Sequence, residues 1–255
     1  MLTALIVEDE PEANKLLSLL VQLQGYRTES AYTGAEALEK VRTCSPDVVF
    51  LDLMLPDVDG YEICRQLKAP GPGLAIPVII VTARLAAENR IESFAAGADD
   101  YVPKPYTPDQ IFEALDQTSA WKDKIDEPKV EGRVPLDARD DGETLRALAG
   151  LRSLISARTS LTPEEIDLIT KAIHSLWASA NQWSRRHQLD QVAALAYTLT
   201  SDRLTLTIHD ESGWLSQATD IRKELASPPE SNIFDEIAVD ERTCLLKLDK
   251  HLLGP

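Results

Sequence analysis

The chain has few of the residues that build disulfide frameworks and metal clusters. It contains three cysteines and four histidines in 255 residues, and the histidines show no metal-ligand spacing. The cysteines lie far apart, at Cys44, Cys64 and Cys244, and two of them fall in apolar-periodic segments. Free buried thiols are therefore expected rather than a disulfide or a metal site.

Positive charge and long apolar runs are scarce as well. The 26 Lys and Arg residues stand against 42 Asp and Glu, which leaves a formal net charge of −16 without any basic cluster. This balance argues against binding to nucleic-acid backbones or anionic lipids. The segment MLTALIVEDE has no basic region and only a six-residue apolar stretch, and no later run approaches membrane-spanning length. We therefore expect a cytoplasmic protein whose partners are proteins or small ions.

The first half of the chain alternates short apolar strands with amphipathic helices. Continuous apolar runs such as VVFL and PVIIV are typical of parallel strands that are covered on both faces. Residues 1–120 are thus predicted to form an α/β domain with a doubly wound, five-stranded parallel sheet. The intervening helices are predicted to begin near Glu10, Thr33, Asp59, Ala87 and Thr107.

The rhythm changes in the second half. Residues 121–143 are charged, contain two prolines and have no apolar period, so we predict a linker. Residues 144–255 are predicted to form a C-terminal α+β sandwich domain. Thr162 followed by Pro163 and Glu165 predicts a capped helix start.

A hairpin is predicted after this long helix. Its strands are QVAALAYTLT and RLTLTIH, which turn at Ser201 and Asp202. A helical run at 216–225 and a strand at TCLLKLD are predicted to follow.

Polar side chains follow the predicted parallel strands at their carboxyl ends, where doubly wound sheets bind ligands. Glu8 and Asp9 follow the first strand and Asp52 the third, while Thr82 ends the fourth and Lys104 follows the fifth. Three clustered carboxylates repel one another unless a hard cation binds, and oxygen ligands suit Mg²⁺. Asp52 can then attack a phosphoryl group, whose oxygens the Lys104 ammonium and the Thr82 hydroxyl would stabilise.

These residues stand in four motifs, namely VEDE at 7–10, DLMLPDVDG at 52–60, VTA at 81–83 and GADDYVPKPY at 97–106. Their order and intervals resemble the receiver domain of two-component response regulators over residues 1–120. The resemblance implies a flavodoxin-like fold and a sensor histidine kinase or phosphotransfer protein as phosphoryl donor. It also implies site residues: Asp52 as phospho-acceptor, Mg²⁺ ligands Glu8, Asp9, Asp52 and the main-chain carbonyl of Met54, and phosphoryl contacts from Thr82 and Lys104.

The same resemblance implies a switch made by Thr82 and Tyr101. A phosphoryl group adds nearly two negative charges and attracts the Thr82 hydroxyl, which leaves room for Tyr101 to turn inward. The surface around the fourth predicted helix and the fifth strand would then change shape, and signalling through a homodimer stays open. Taken alone, an aspartate at a strand end is a turn former or helix cap, and a tyrosine can simply pack.

Residues 144–249 resemble the ATPase fold shared by histidine kinases and anti-sigma factor serine kinases. In that family the long helix carries a glutamate, then a Mg²⁺-binding asparagine and often a histidine at intervals of four residues. Lys171, Ser175 and Ser179 stand at these positions, so the metal ligand is missing.

The segment after the hairpin also departs from the family pattern Asp-x-Gly-x-Gly. Asp210 fits the aspartate that binds adenine and Gly213 lies inside the motif, but Ser212 and Trp214 replace the two glycines. No glycine occurs between Gly213 and Gly254, although a phosphate-binding lid needs closely approaching backbone amides. We interpret the segment as the remnant of a nucleotide site, or else as a turn after a strand, and expect no functional ATP site.

Three functions follow as hypotheses. The first is a response regulator, phosphorylated on Asp52, that controls a non-catalytic, protein-binding output domain; its target would be a sigma factor, an anti-sigma antagonist or another kinase. No enzyme activity is then expected beyond the receiver's own phosphoryl transfer. The second is an output domain that binds ATP and phosphorylates a partner. The third is a DNA-binding regulator. The composition of residues 127–255 argues against it, because 15 Lys and Arg stand against 21 Asp and Glu and leave a net charge of −6.

Overall fold

The chain folds into two compact units, Met1–Asp123 and Lys124–Pro255. The structure is a computed structural model that describes residues 1–68, 76–84, 92–119, 127–136, 141–189, 193–210, 212–217, 233–240 and 244–252. Within these ranges we find no helix with the length and apolar character needed to span a membrane.

The first unit is a parallel sheet with helices between its strands, and its strand order is β2-β1-β3-β4-β5. This confirms the predicted doubly wound, flavodoxin-like fold. The strands are β1 Thr3–Val7, β2 Arg27–Ala31, β3 Val48–Leu51, β4 Val78–Thr82 and β5 Asp100–Pro103, and the helices are α1 Pro11–Leu23, α2 Gly34–Cys44, α3 Gly60–Leu67 and α4 Pro108–Ser119. The predicted start near Ala87 lies outside the described residues, and residues 92–95 are helical.

The apolar runs form the centre of this unit. Every residue of β3 and β4 is buried, as the continuous runs predicted. Fully burying a large aliphatic or aromatic side chain contributes about 1.5–3 kcal/mol, so these central strands supply much of the unit's stability. The helices begin where the polar residues between strands can cap them, for example at Thr33 and Asp59.

A buried ion pair joins α3 to the start of β5. The Nζ atom of Lys68 lies 2.6 Å from Oδ2 of Asp99, and the two side chains are 4% and 3% exposed. Lys68 also donates to the carbonyl of Ile76, and the amide of Val78 donates to Asp99. The pair therefore holds the amino ends of β4 and β5 against the end of α3.

The second unit is an antiparallel sheet with the order β6-β7-β8-β10-β9. This confirms a separate C-terminal domain of helices and an antiparallel sheet. Its strands are β6 Val130–Leu136, β7 Ala193–Leu199, β8 Arg203–Asp210, β9 Glu236–Asp240 and β10 Leu245–His251, and its helices are α5 Asp141–Arg158, α6 Pro163–His187 and α7 Trp214–Gln217. Both long helices contact β6.

The predicted linker over 121–143 is wrong in its second half. Residues 130–136 form β6, which pairs with β7 along its whole length, and α5 begins at Asp141. Successive side chains of VEGRVPL point to opposite faces of the sheet, and its apolar residues Val130 and Val134 are buried. A proline is tolerated there because β6 is an edge strand. Residues 121–126 and 137–140 of the predicted linker lie outside the described residues.

The long helix of the second unit starts as predicted. Thr162 and Glu165 form a capping box in which each side chain accepts a hydrogen bond from the other residue's backbone amide. The predicted hairpin is β7 and β8. The helical run predicted over 216–225 is seen only as far as Gln217, and its remainder lies outside the described residues.

Candidate functional site

The acidic residues of the first unit meet at the carboxyl ends of β1 and β3. These strands are neighbours with Val7 opposite Leu51, so the residues that follow them lie side by side. Glu8, Asp9 and Asp52 each place a carboxylate oxygen within 4.8 Å of the other two. Glu8 and Asp52 are 3% and 5% exposed, whereas Asp9 is exposed. The predicted acidic pocket is thus assembled by the fold.

Lys104 lies between two of these carboxylates. Its Nζ atom is 2.5 Å from Oε2 of Glu8 and 2.6 Å from Oδ2 of Asp52. Its backbone amide donates to the carbonyl of Thr82 at 2.8 Å, which fixes it at the end of the neighbouring strand, and its peptide bond to Pro105 is cis.

The charges of this pocket depend on one another. Burial would lower the pKa of Lys104, but its hydrogen bonds to Asp52 and Glu8 outweigh burial and raise that pKa. Burial raises the pKa of Glu8, and Lys104 opposes the rise. The ammonium is therefore firmly protonated and acts as the counterion of the two buried carboxylates.

The loop after β3 holds Asp52 by its backbone. The amide of Asp52 donates to the carbonyl of Val7 at 2.9 Å, and the amide of Met54 donates to Oδ1 of Asp52 at 3.1 Å. A Cβ added at Gly60 would lie 2.5 Å from the Asp52 carbonyl oxygen and from the Cα of Leu53. Only a glycine can start α3 this close to the loop.

The proposed switch residues are connected through Arg84. Thr82 is fully buried, and its hydroxyl accepts a hydrogen bond from the Arg84 amide at 3.4 Å. Tyr101 is 4% exposed and its hydroxyl donates to the Arg84 carbonyl. The Arg84 side chain pairs with Asp59, at 3.4 Å, and lies over the ring of Tyr61. Tyr101 is thus in the inward position in this structure, and its movement remains a prediction.

Sequence reasoning missed one buried residue beside the acidic cluster. Asn14 of α1 is 1% exposed, and its Nδ2 atom lies 3.2 Å from the carbonyl oxygen of Glu8 and 3.3 Å from that of Ile6. A polar residue one turn into an amphipathic helix, on the face that holds the buried Leu17 and Val21, was the available signal.

Mg²⁺ fits the acidic cluster of the first unit. The three carboxylates offer only oxygen, and two of them are buried, so a hard divalent cation is the expected ligand. Among the described residues this is the cluster of acidic, histidine or cysteine side chains with metal-binding spacing. The carbonyl of Met54 stays a predicted fourth ligand.

The residues of the predicted nucleotide-site remnant come from α6 and from the turn after β8. Lys171 and Ser175 are exposed on α6, where Lys171 pairs with Asp167 at 2.6 Å. Asp210, Ser212 and Gly213 lie at the end of β8 and in the turn that follows it.

The carboxylate of Asp210 is occupied by its own segment. One oxygen accepts hydrogen bonds from the amide and the hydroxyl of Ser212, and the other accepts one from the Leu215 amide at 2.7 Å. Gly213 has a φ of 78°, which favours glycine. This geometry matches the simpler of the two interpretations, a turn that caps the short helix α7.

Trp214 takes the position of the second glycine in the nucleotide motif. Its side chain is fully buried, and its indole nitrogen donates to the hydroxyl of Ser179 on α6 at 3.2 Å. The indole therefore fills the space between the turn and the long helix.

Comparison with known proteins agrees with the fold of the first unit. The family model described as response regulator receiver domain matches residues 4–116. The TcrX protein of Mycobacterium tuberculosis, named as a probable transcriptional regulatory protein, is 33% identical over 194 residues, which cover 74% of this chain and 77% of TcrX. The chain therefore belongs to the response regulators of two-component systems.

Other relatives carry the same description. The response regulator MprA of Mycobacterium ulcerans is 33% identical over 172 residues, which cover 66% of this chain and 71% of MprA. A crystal structure of the BeF₃-activated receiver domain of RstA from Klebsiella pneumoniae is 30% identical, with a TM-score of 0.41, and the match covers 45% of this chain and 95% of that domain.

Proposed function

We propose that Asp52 is the phospho-acceptor of this response regulator. The observation that carries the proposal is the meeting of Glu8, Asp9 and Asp52 with Lys104 at the carboxyl ends of adjacent strands. A carboxylate oxygen of Asp52 attacks the phosphorus of a donor, the bond from phosphorus to the leaving group breaks, and an acyl phosphate forms.

The neighbouring residues of this chain prepare that step. Glu8, Asp9, Asp52 and the carbonyl of Met54 would hold Mg²⁺, which when bound would supply positive charge to the phosphoryl oxygens. Lys104 releases its hydrogen bond to Asp52 and donates to a phosphoryl oxygen instead, and Thr82 donates its hydroxyl.

Mass spectrometry tests the acceptor directly. The full chain treated with acetyl phosphate and Mg²⁺ should gain the mass of one phosphoryl group, and Asp52→Asn should not. Asp116→Asn, which removes an exposed carboxylate on α4, is the matched control and should keep the gain. A gain that persists in Asp52→Asn would exclude Asp52 as the acceptor.

The donor is a sensor histidine kinase or a phosphotransfer protein, and α1 offers it a surface. Leu16, Leu19 and Leu23 are spaced along one face of α1 and are 54%, 50% and 75% exposed. The helix begins two residues after Asp9, and we propose that a protein that reaches the pocket also contacts this face. Leu16→Glu with Leu19→Glu should slow transfer from a kinase and leave labelling by acetyl phosphate unchanged. Equal slowing of both reactions would contradict this surface.

The output unit acts by binding a protein and not by catalysis. Two contacts count against a nucleotide site here: both carboxylate oxygens of Asp210 accept hydrogen bonds from its own turn, and the buried Trp214 indole donates to Ser179 on α6. The expected targets are a sigma factor, an anti-sigma antagonist or another kinase. Pull-downs with the phosphorylated chain and with Asp52→Asn should recover different partners, and identical recoveries would contradict control by phosphorylation.

Calorimetry separates this output from an ATP-dependent kinase. ATP titrated into the full chain at constant Mg²⁺ should give no binding heat. Micromolar binding that disappears in Asp210→Ala would favour the kinase instead.

DNA binding is a second candidate, which the relatives favour. The match to TcrX covers 74% of this chain and so extends beyond the first unit, which ends at Asp123. A DNA-binding output would shift a DNA probe in a gel, and the affinity would fall steeply with salt. The net charge of −6 over residues 127–255 leads us to expect no shift.

A further inference from the structure

Asn14 is the least expected polar residue in the first unit. It lies in the first turns of α1, on the face that also buries Leu17 and Val21, and it is 1% exposed. A buried amide costs free energy unless its donors and acceptors are satisfied, so its contacts indicate what it does.

The donor atom of Asn14 contacts three main-chain carbonyl groups at the carboxyl ends of β1 and β2. Nδ2 lies 3.3 Å from the carbonyl oxygen of Ile6, 3.2 Å from that of Glu8 and 3.5 Å from that of Ala31. Its acceptor atom is held in turn, because the Ser30 hydroxyl donates to Oδ1 at 2.6 Å. The amide orientation is thereby fixed.

The contact with Glu8 sets the direction of the next residue. The amide of Glu8 is already fixed by its hydrogen bond to the Ala31 carbonyl at 3.0 Å. The carbonyl of Glu8 belongs to the following peptide, which leads into Asp9, and there the strand has ended. Among the described contacts, Asn14 holds that carbonyl.

We propose that Asn14 is a positioning residue for the Mg²⁺ site. By fixing the peptide between Glu8 and Asp9, it aims the exposed Asp9 carboxylate at the place where the Glu8 and Asp52 oxygens converge. The inference rests on the proposed Mg²⁺ site. It adds a residue whose side chain acts on the peptide after Glu8 and has no proposed part in phosphoryl transfer.

Groups that orient metal ligands change metal affinity by about 10- to 100-fold when they are removed. Asn14→Ala leaves the three carboxylates in the sequence but frees the peptide that directs one of them. The Mg²⁺ dissociation constant should therefore rise by about tenfold, whereas phosphorylation by acetyl phosphate at saturating Mg²⁺ should fall much less.

The test is a calorimetric titration of Mg²⁺ into the full chain, read beside thermal unfolding without Mg²⁺. Ser18→Ala is the matched control, because Ser18 lies one turn along α1 and contacts Asn14 only at 3.5 Å. Asn14→Ser is a second variant that keeps a short polar group and cannot reach the Glu8 carbonyl. It should weaken Mg²⁺ binding as Asn14→Ala does. The test therefore needs only one of the two variants to fold.

A purely structural role would lower the melting temperature and leave the Mg²⁺ dissociation constant of the folded protein unchanged, and that result would overturn the inference. Failure of the wild-type chain to bind Mg²⁺ would instead refute the proposed site itself. Weaker binding in the Asn14 variants with wild-type affinity in Ser18→Ala would support the positioning role.

Discussion

At the scale of single residues, the receiver site depends on close approaches that few side chains permit. Lys104 reaches Glu8 and Asp52 at 2.5 and 2.6 Å, and the loop of Asp52 is packed against Gly60. Both contacts involve groups with little room to move, so small substitutions here should have large effects on phosphorylation.

Gly60→Ala should slow phosphorylation of Asp52 and destabilise the first unit. The added Cβ would lie 2.5 Å from backbone atoms of Asp52 and Leu53, which cannot yield as a flexible side chain can. We expect a cost of about 1–3 kcal/mol in the free energy of unfolding and a several-fold slower reaction with acetyl phosphate. Denaturation followed by circular dichroism and timed mass spectra would measure both effects.

Gly150→Ala is the matched control for this change. The position lies inside α5, a Cβ there meets nothing within 4 Å, and alanine is the better helix former. This substitution should stabilise the second unit by about 0.5–1 kcal/mol and leave phosphorylation unchanged. Wild-type phosphorylation in Gly60→Ala would show that the loop can move without harm.

His174 should make the second unit less stable as the pH falls. Burial, with a contribution from the nearby charge of Arg152, lowers its pKa from 6.5 to about 4. Because the unfolded state takes up a proton near pH 6.5 and the folded state resists it, stability is complete above pH 6.5 and declines down to about pH 4. The loss is on the order of 3 kcal/mol.

Urea unfolding followed by tryptophan fluorescence would measure this pH dependence, since Trp177 lies 6.4 Å from the His174 ring. His174→Leu should flatten the slope between pH 6.5 and 4. His209→Gln removes an exposed imidazole on β8 and should leave the slope unchanged. An unchanged slope in His174→Leu would assign the pH dependence to other groups.

Most of the receiver residues could be predicted because each follows its own strand. Glu8, Asp52 and Lys104 stand at strand ends, and parallel pairing brings such ends together. Asn14 and Arg84 could not be predicted in this way. Asn14 stands out only as a polar residue on the buried face of α1, and its sequence position does not show which carbonyl groups it contacts. Arg84 acts through its own backbone amide and carbonyl, which every residue type carries.

At the scale of helices and strands, the prediction succeeded where apolar patterns were simple. The buried strands β3 and β4 and the capped helix α6 have sequences that one local rule describes. β6 was missed because charge and proline hide its alternation, and α5 because its apolar residues surround the helix and show little periodicity. Pairing with β7 and packing against α6, both long-range, decide these two elements.

The ion pair of Lys68 and Asp99 joins three such elements, so breaking it should be costly. Asp99→Ala leaves a buried ammonium without its carboxylate and removes the acceptor of the Val78 amide. We expect a loss of about 3–5 kcal/mol in the free energy of unfolding of the first unit. Chemical denaturation followed by circular dichroism would measure it.

The double variant Lys68→Met with Asp99→Leu supplies the control. Replacing both charges by apolar groups of similar size removes the unpaired ammonium, so much of the lost stability should return. A double variant as unstable as Asp99→Ala would mean that the Val78 hydrogen bond, and not the ion pair, is the important contact.

At the scale of the whole molecule, the two units have separate cores and should respond separately to Mg²⁺. A ligand that binds only the folded first unit stabilises it by about 3 kcal/mol at a hundred times its dissociation constant, which raises that unit's melting temperature by roughly 10 °C. Differential scanning calorimetry should show one transition that shifts with Mg²⁺ and one that does not. Asp9→Asn should abolish the shift, and movement of both transitions would contradict this separation.

The lysine between the two buried carboxylates has a further consequence, which appears when the charges of the pocket are added through a signalling cycle. Glu8, Asp9, Asp52 and Lys104 together carry about −2, and a divalent cation brings the total to about zero. An acyl phosphate at Asp52 replaces one negative charge with about two, so the total becomes about −1. The net charge of the pocket thus stays between about −2 and zero through the cycle, and phosphorylation of the cation-bound pocket adds only about one negative charge.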